Sequence, residues 1–238
     1  MAFCGRLRTP VDWLRPTLAG MIETSESTRS ASEARTAVMP MLIERLLPDY
    51  DATRAEHRVM PGTMDVIYEA VRRADFIEAW RGSPAVRFLF AARSLGERAA
   101  SAIGRRPHME PPPPDSMRLA DMPSQGEWVL LGEDPPREIA FGTIGRFWAG
   151  ETIWERIDAS EFEPFDRPGF AKIACNFSLR PYGADHTLVT YECRTRATDP
   201  SAREGFLRYW RPLSPFIGVV LRAQLGVVAS EAARREAQ

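Results

Sequence analysis

The sequence predicts an α+β fold, one antiparallel sheet closed by a long terminal helix, on three observations. The runs "AKIACNFSLR" and "HTLVTYECRTR" alternate apolar and polar residues on either side of Gly183-Ala184, which is the period-2 pattern of a hairpin with one apolar face. The stretch "EHRVMPGTMDVIYEAVRRADF" changes period in its middle: Pro61-Gly62-Thr63 breaks the chain, and from Met64 the apolar residues Met64, Ile67, Tyr68 and Val71 recur at helical spacing. Finally, Asp199-Pro200 supplies an N-cap and a first-turn proline for a helix in which Phe206, Tyr209, Trp210, Leu213, Ile217, Val220 and Leu225 follow a single broad stripe.

The remaining elements follow in chain order. Residues 1–45 contain "IETSESTRSASEART", polar and poor in apolar side chains, and are expected to be a mobile extension or an over-extended start ahead of a domain at 46–234. After the strand and helix around Pro61, "SPAVRFLFAARSLGERAAS" opens with Ser83 as N-cap and Pro84 in the first turn and predicts a second helix. Four consecutive prolines within 104–117 predict an extended connector. "EWVLLGEDPPREIAFGTIGRFW" then places two apolar runs around Asp134-Pro135-Pro136, a second hairpin, and "ETIWERI" suggests a short strand. Pro212 and Pro215 are expected to break or bend the terminal helix.

Composition narrows the function classes. At 238 residues, 44% hydrophobic, 10% aromatic and a formal charge of −1, the chain is ordinary for a globular protein, and nothing in its charge calls for a nucleic-acid partner. Cys4, Cys175 and Cys193 form no CxxC pair and, with His57, His108 and His186, give no metal-ligand spacing, so neither a metal nor another cofactor is expected. The apolar run Leu213 to Leu221 is interrupted by Pro215 and is followed by Arg222, shorter than the roughly 20 residues of a spanning helix. A soluble chain follows, and without a signal-peptide pattern a cytoplasmic location is the expectation.

Strand, two helices, an antiparallel meander and a long final helix, in that order, resemble the helix-grip fold of the START-like superfamily, which includes lipid-transfer, polyketide cyclase/dehydrase and plant pathogenesis-related proteins. The resemblance covers about residues 48 to 230. It is carried by "HRVMPGTMDVIYEAV", "REIAFGTIGRFW", "PGFAKIACNF", "HTLVTYECRTRATD" and "FLRYWRPLSPFIGVVLR". It implies a curved antiparallel sheet wrapped around the C-terminal helix, with a cavity between them for an apolar ligand. The N-terminal extension and the proline-rich connector depart from the pattern and leave the cavity entrance open.

Given such a cavity, alternation and the helix stripe nominate its lining. The sheet offers Phe141, Phe147, Trp154, Phe177 and Tyr191, and the helix offers Phe206, Tyr209, Trp210, Leu213 and Ile217. Arg146 is positioned to neutralise a ligand carboxylate. His57, Glu151, Glu155 and Tyr191 are candidate acid/base groups if they point into a dry pocket. No GxSxG, P-loop, HExxH or GxGxxG motif accompanies them. The expected partner is therefore a small apolar molecule that is bound and carried. The alternatives are a cyclase/aromatase or dehydratase-type enzyme and an interaction protein with a filled core. Oligomeric state is not legible.

Overall fold

The computed structural model describes residues 40–82, 115–123, 125–148 and 152–236. The helix expected from Ser83, most of the proline connector, Cys4, His108 and Glu151 lie outside the described residues. The elements in chain order are α1 (Leu42–Leu46), β1 (Ala52–Pro61), α2 (Met64–Arg73), α3 (Ile77–Gly82), β2 (Gln125–Gly126), β3 (Trp128–Asp134), β4 (Glu138–Arg146), β5 (Ile153–Trp154), β6 (Ile157–Asp158), β7 (Ala171–Tyr182), β8 (His186–Ala197) and α4 (Pro200–Glu236).

The main sheet runs β1-β8-β7-β4-β3, antiparallel throughout, with β5 pairing the far end of β4 and β2 pairing β6 separately. The β7–β8 hairpin turns at Gly183, whose φ of 72° is the left-handed geometry that glycine adopts without a Cβ clash. Gly62, at φ 106°, does the same between β1 and α2. Asp199 caps α4 by accepting hydrogen bonds from Ala202 N (3.0 Å) and Ser201 N (2.8 Å), and these, with a bond from Gly169 N (2.6 Å), hold its carboxyl below the usual carboxylate range.

One apolar cluster fills the concave side of the sheet. Ile139, Phe141, Cys175, Phe177, Leu179, Val189 and Tyr191 from the strands meet Ile67, Tyr68 and Val71 of α2 and Leu221, Leu225, Val228 and Ala232 of α4. The alternation in the β7–β8 hairpin thus sorts its residues as the sequence predicts. A β-bulge between Leu130 and Gly132 turns Glu133 back to this side, where it accepts hydrogen bonds from Tyr68 Oη (3.1 Å) and Arg72 Nε (2.9 Å) and ties α2 to β3.

The opposite face, which the hairpin's alternation predicts to be polar and wet, is covered over β3, β4 and part of β7, while its β1 end stays exposed at Thr53, His57 and Val59. A second cluster there joins Ile43, Leu46 and Leu47 to Val129, Ala140, Ile144, Ile157, Phe162 and Ala174. Its anchor is Glu138, a buried carboxylate that accepts from Leu42 N (2.6 Å), Ile43 N (3.1 Å) and Asn176 Nδ2 (2.6 Å). β4 is in consequence buried on both faces from Glu138 to Gly145, and the near-continuous apolar run "IAFGTIG" is the signature of a strand so covered. α1 straddles the boundary at residue 45 expected between extension and domain and is packed against the sheet.

α4 also differs from expectation. It runs unbroken for 37 residues through both Pro212 and Pro215. One 18-residue window of it has a mean hydropathy of 1.5, long and apolar enough by composition to cross a membrane, whereas the apolar run read from the sequence stops at Arg222. Leu221, Leu225, Val228 and Ala232, at i, i+4, i+7 and i+11, pack on the sheet and α2.

Candidate functional site

The register lays the concave face out in rows that cross the strands. One row reads Glu56, Tyr191, Phe177, Ile139, and the next Arg54, Cys193, Cys175, Phe141, Leu130. A third reads Thr195, Ile173, Thr143, Trp128. These rows form a floor, and α4 lies over it.

The aromatic residues make one connected surface. Tyr191 stacks on Phe177 at 4.1 Å between ring centroids, and Phe177 is followed by Phe141 (6.3 Å), Trp128 (5.9 Å from Phe141) and Trp154 (6.3 Å from Trp128). Trp154 stacks on Phe147 at 5.5 Å, and Phe147 meets Phe206 (6.0 Å) and Tyr209 (5.7 Å) of α4 edge-on. Phe206 leads on to Trp210 at 5.8 Å. Trp154 reaches this surface because its ring lies directly over Gly145, where a Cβ would collide with it.

Burial divides the surface in two. Phe177 and Phe206 are fully buried, Phe141 and Tyr191 nearly so, and all four serve as core. Trp128, Phe147, Trp154, Tyr209, Trp210, Leu213 and Ile217 are only half-buried, and they lie beside the third row and the middle of α4. In that row the Thr143 side chain is fully buried and its Oγ1 has no hydrogen-bond partner among the described residues.

Three groups on this face, Tyr191, Glu56 and Cys175, have displaced titrations. Burial, together with the neighbouring Cys175 and Cys193, pushes the Tyr191 phenol well above its ordinary value and keeps it neutral. Burial would raise Glu56, but hydrogen bonds and charge from Arg54 and Arg222 outweigh it and hold the carboxyl below its usual range. Cys175 and Cys193 are directly opposed, both free, with sulfurs 3.0 Å apart. The hydrogen bond to Cys193 and burial raise the Cys175 thiol, and the less nucleophilic thiol form dominates. Mass-resolved alkylation of the native protein is expected to modify half-buried Cys193 slowly and Cys175 only after denaturant is added. Rapid native labelling of Cys175 would put this face of the sheet in water.

The other nominated residues are placed elsewhere. His57 is exposed on the outer side of β1, with Nδ1 2.9 Å from Thr190 Oγ1. Glu155 is ion-paired with Arg167. Arg146 alternates with Gly145 and so belongs to the side opposite Thr143, where its Nε is buried without a partner among the described residues. Two clefts among the described residues are lined by other residues than the aromatic surface, and neither is the cavity between sheet and α4 that the resemblance implies. One of about 420 Å³ is lined by Arg72, Arg73, Arg118, Asp121 and Glu231, and a smaller one by Tyr68, Glu69, Arg72 and Glu133. Trp128, Thr143, Arg54, Glu56 and Arg222 were not nominated from sequence. The pattern Trp128, Leu130 in "EWVLLGED" could have supplied the first, whereas β1 carries Arg54, Glu56 and Arg58 at its inward positions and so reads as a solvated strand.

No family model and no curated protein matches the chain. Among solved structures it is similar to a conserved protein from Geobacillus kaustophilus, at 11% identity over 77% of this chain and 96% of that one, with a TM-score of 0.35. A protein from Thermus thermophilus matches at 9% identity over 77% and 99%, with a TM-score of 0.31. The Zhui aromatase/cyclase from Streptomyces sp. R1128 matches at 15% over 77% and 94%, with a TM-score of 0.28. The fold itself is fixed by the strand order, the antiparallel register and the long final helix laid across the concave face: the chain has an α+β helix-grip architecture.

Proposed function

We propose that the protein binds and carries a small, largely apolar molecule on the concave face, between the sheet and α4. The observation that carries this reading is the half-buried aromatic wall of Trp128, Phe147, Trp154, Tyr209 and Trp210, large side chains that line the inner face without being sealed into the core. Such surface is costly to leave wet, at about 25 cal/mol per Å² of apolar area, and it suits a ring system or an acyl chain.

Carriage is favoured over cyclase or dehydratase chemistry by the state of two ionisable groups that turn inward. Glu56 is held charged by two arginines and Tyr191 is held neutral, so neither titrates near neutrality as an efficient general base or acid does. A filled-core interaction protein would seal Trp154 and Trp210 as it seals Phe177, and both stay half-buried.

Native mass spectrometry of protein purified from its own cells is the test, with a co-purified small molecule as the expected result. A second measurement separates binding from packing. Trp210→Ala is expected to weaken an apolar fluorescent probe several-fold while lowering stability by less than the roughly 3 to 5 kcal/mol of a buried aromatic. Unchanged binding per folded molecule together with a full core-sized loss of stability would assign Trp210 to the core.

A further inference from the structure

Along the rim where β1 meets α4, the inner face changes from aromatic to charged. Glu56 and Arg54 stand in register with Tyr191 and Cys193. The Oε1 atom of Glu56 receives Arg54 Nε at 2.9 Å, Arg54 Nη2 at 2.5 Å and Arg222 Nη1 at 2.8 Å, so that one carboxylate oxygen takes two guanidinium groups. Arg58, two residues further on the same side of β1, approaches Gly226 of α4 and has no acidic partner among the described residues. The cluster therefore carries three positive charges against one negative.

Its position is held by the backbone of α4. A Cβ on Gly218 would come within 2.6 Å of both Arg54 Nη2 and Glu56 Oε1, so the helix lies directly on the ion pair. Ile217, next to Gly218, belongs to the apolar cluster that includes Tyr191 and Cys193. The Glu56 side chain is 13% exposed and that of Arg222 is 53% exposed, which sets the cluster at the boundary between apolar floor and solvent. Arg222 meets Glu56 through Nη1 as an ion pair and has no other hydrogen-bond acceptor among the described residues.

We propose that Arg222, with Arg54 and Arg58, binds the carboxylate of an amphipathic acid whose apolar body lies against Ile217 and the aromatic floor. The inference rests on the carriage reading and adds the ligand's chemical class. The planar guanidinium fork matches a carboxylate with two parallel hydrogen bonds, and Glu56 holds Arg54 and Arg222 together at the rim before the ligand arrives. A neutral ligand of the same shape would leave the excess positive charge unanswered.

The test uses the full-length protein with 11-(dansylamino)undecanoic acid and its methyl ester, read by dansyl fluorescence. The acid is expected to bind about tenfold more tightly than the ester, the size of one charge-assisted contact. Arg222→Gln should remove most of that preference while leaving the ester within about twofold. If Arg222→Gln unfolds by circular dichroism, Arg58→Gln, at a site with no acidic partner among the described residues, should cut acid binding several-fold and spare the ester. Equal binding of acid and ester by the unmodified protein overturns the inference and leaves the carriage reading standing, as does a loss in the variant that is the same for both probes. Binding of neither probe overturns both.

Discussion

Replacing Phe177 by alanine is expected to lower the free energy of unfolding by about 3 to 5 kcal/mol. The ring has no exposed surface and lies at the centre of the floor, stacked on Tyr191 at 4.1 Å, on Phe76 at 5.4 Å and on Phe141 at 6.3 Å. Its removal leaves three rings around a void that the curved sheet cannot close, because Phe177 is held by ladders on both sides, to Ile139 and to Tyr191. Denaturant titration is the measurement, and Phe177→Leu should recover more than half of the loss. A loss below about 1 kcal/mol would mean that the floor is loosely packed, and the division between core and lining residues would fail with it.

Glu138→Ala is expected to cost a similar amount by a different route. The substitution leaves Leu42 N, Ile43 N and Asn176 Nδ2 without their acceptor in a buried site, at about 1 to 3 kcal/mol for each orphaned donor, less what relaxation or water recovers. Because two of the three donors belong to α1, the damage should be local first. Limited proteolysis is expected to cut near residues 40–50 in the variant under conditions where the unmodified protein resists. Glu138→Gln should be intermediate, since its oxygen still accepts but its amide group faces other donors. Unchanged protease resistance in Glu138→Ala would show that α1 is held by Ile43, Leu46 and Leu47 alone.

Much of the architecture was legible because it is written in periodicity. The β7–β8 hairpin, the step at Pro61-Gly62-Thr63 and the Asp199-Pro200 helix start each depend on local chemistry, and the structure has all three where the pattern puts them. The errors share one cause, which is that burial is decided by what arrives from elsewhere in the chain. Asn176 and Ser178 read as solvent-facing by alternation, yet α1 and Glu138, remote in sequence, cover that side. Pro212 and Pro215 read as breaks, but each removes only one donor from a helix whose remaining bonds and packing continue on either side. At the site, aromatic residues were easy to nominate from alternation, whereas their division into sealed and half-buried depends on α4 and could not be read from spacing. Arg54, Glu56 and Arg222 were illegible for a related reason: 168 positions separate Arg54 from Arg222, and only the crossing of α4 over β1 brings them to one carboxylate.

That crossing belongs to a topology in which the first strand pairs, among the described residues, with the last strand alone. Ala52 pairs with Thr195 and Pro61 with His186, while β7 and β8 join through a short turn. Contacts so distant along the chain form late, because the entropy of closing a long loop must be overcome before any ladder bond offsets it. During synthesis β1 emerges well before its partner exists and has no strand of its own sheet to pair with until residues beyond 186 have left the ribosome. Its inward arginines and glutamate are well suited to that interval, since a charged strand keeps its open edge in water and resists pairing with other chains.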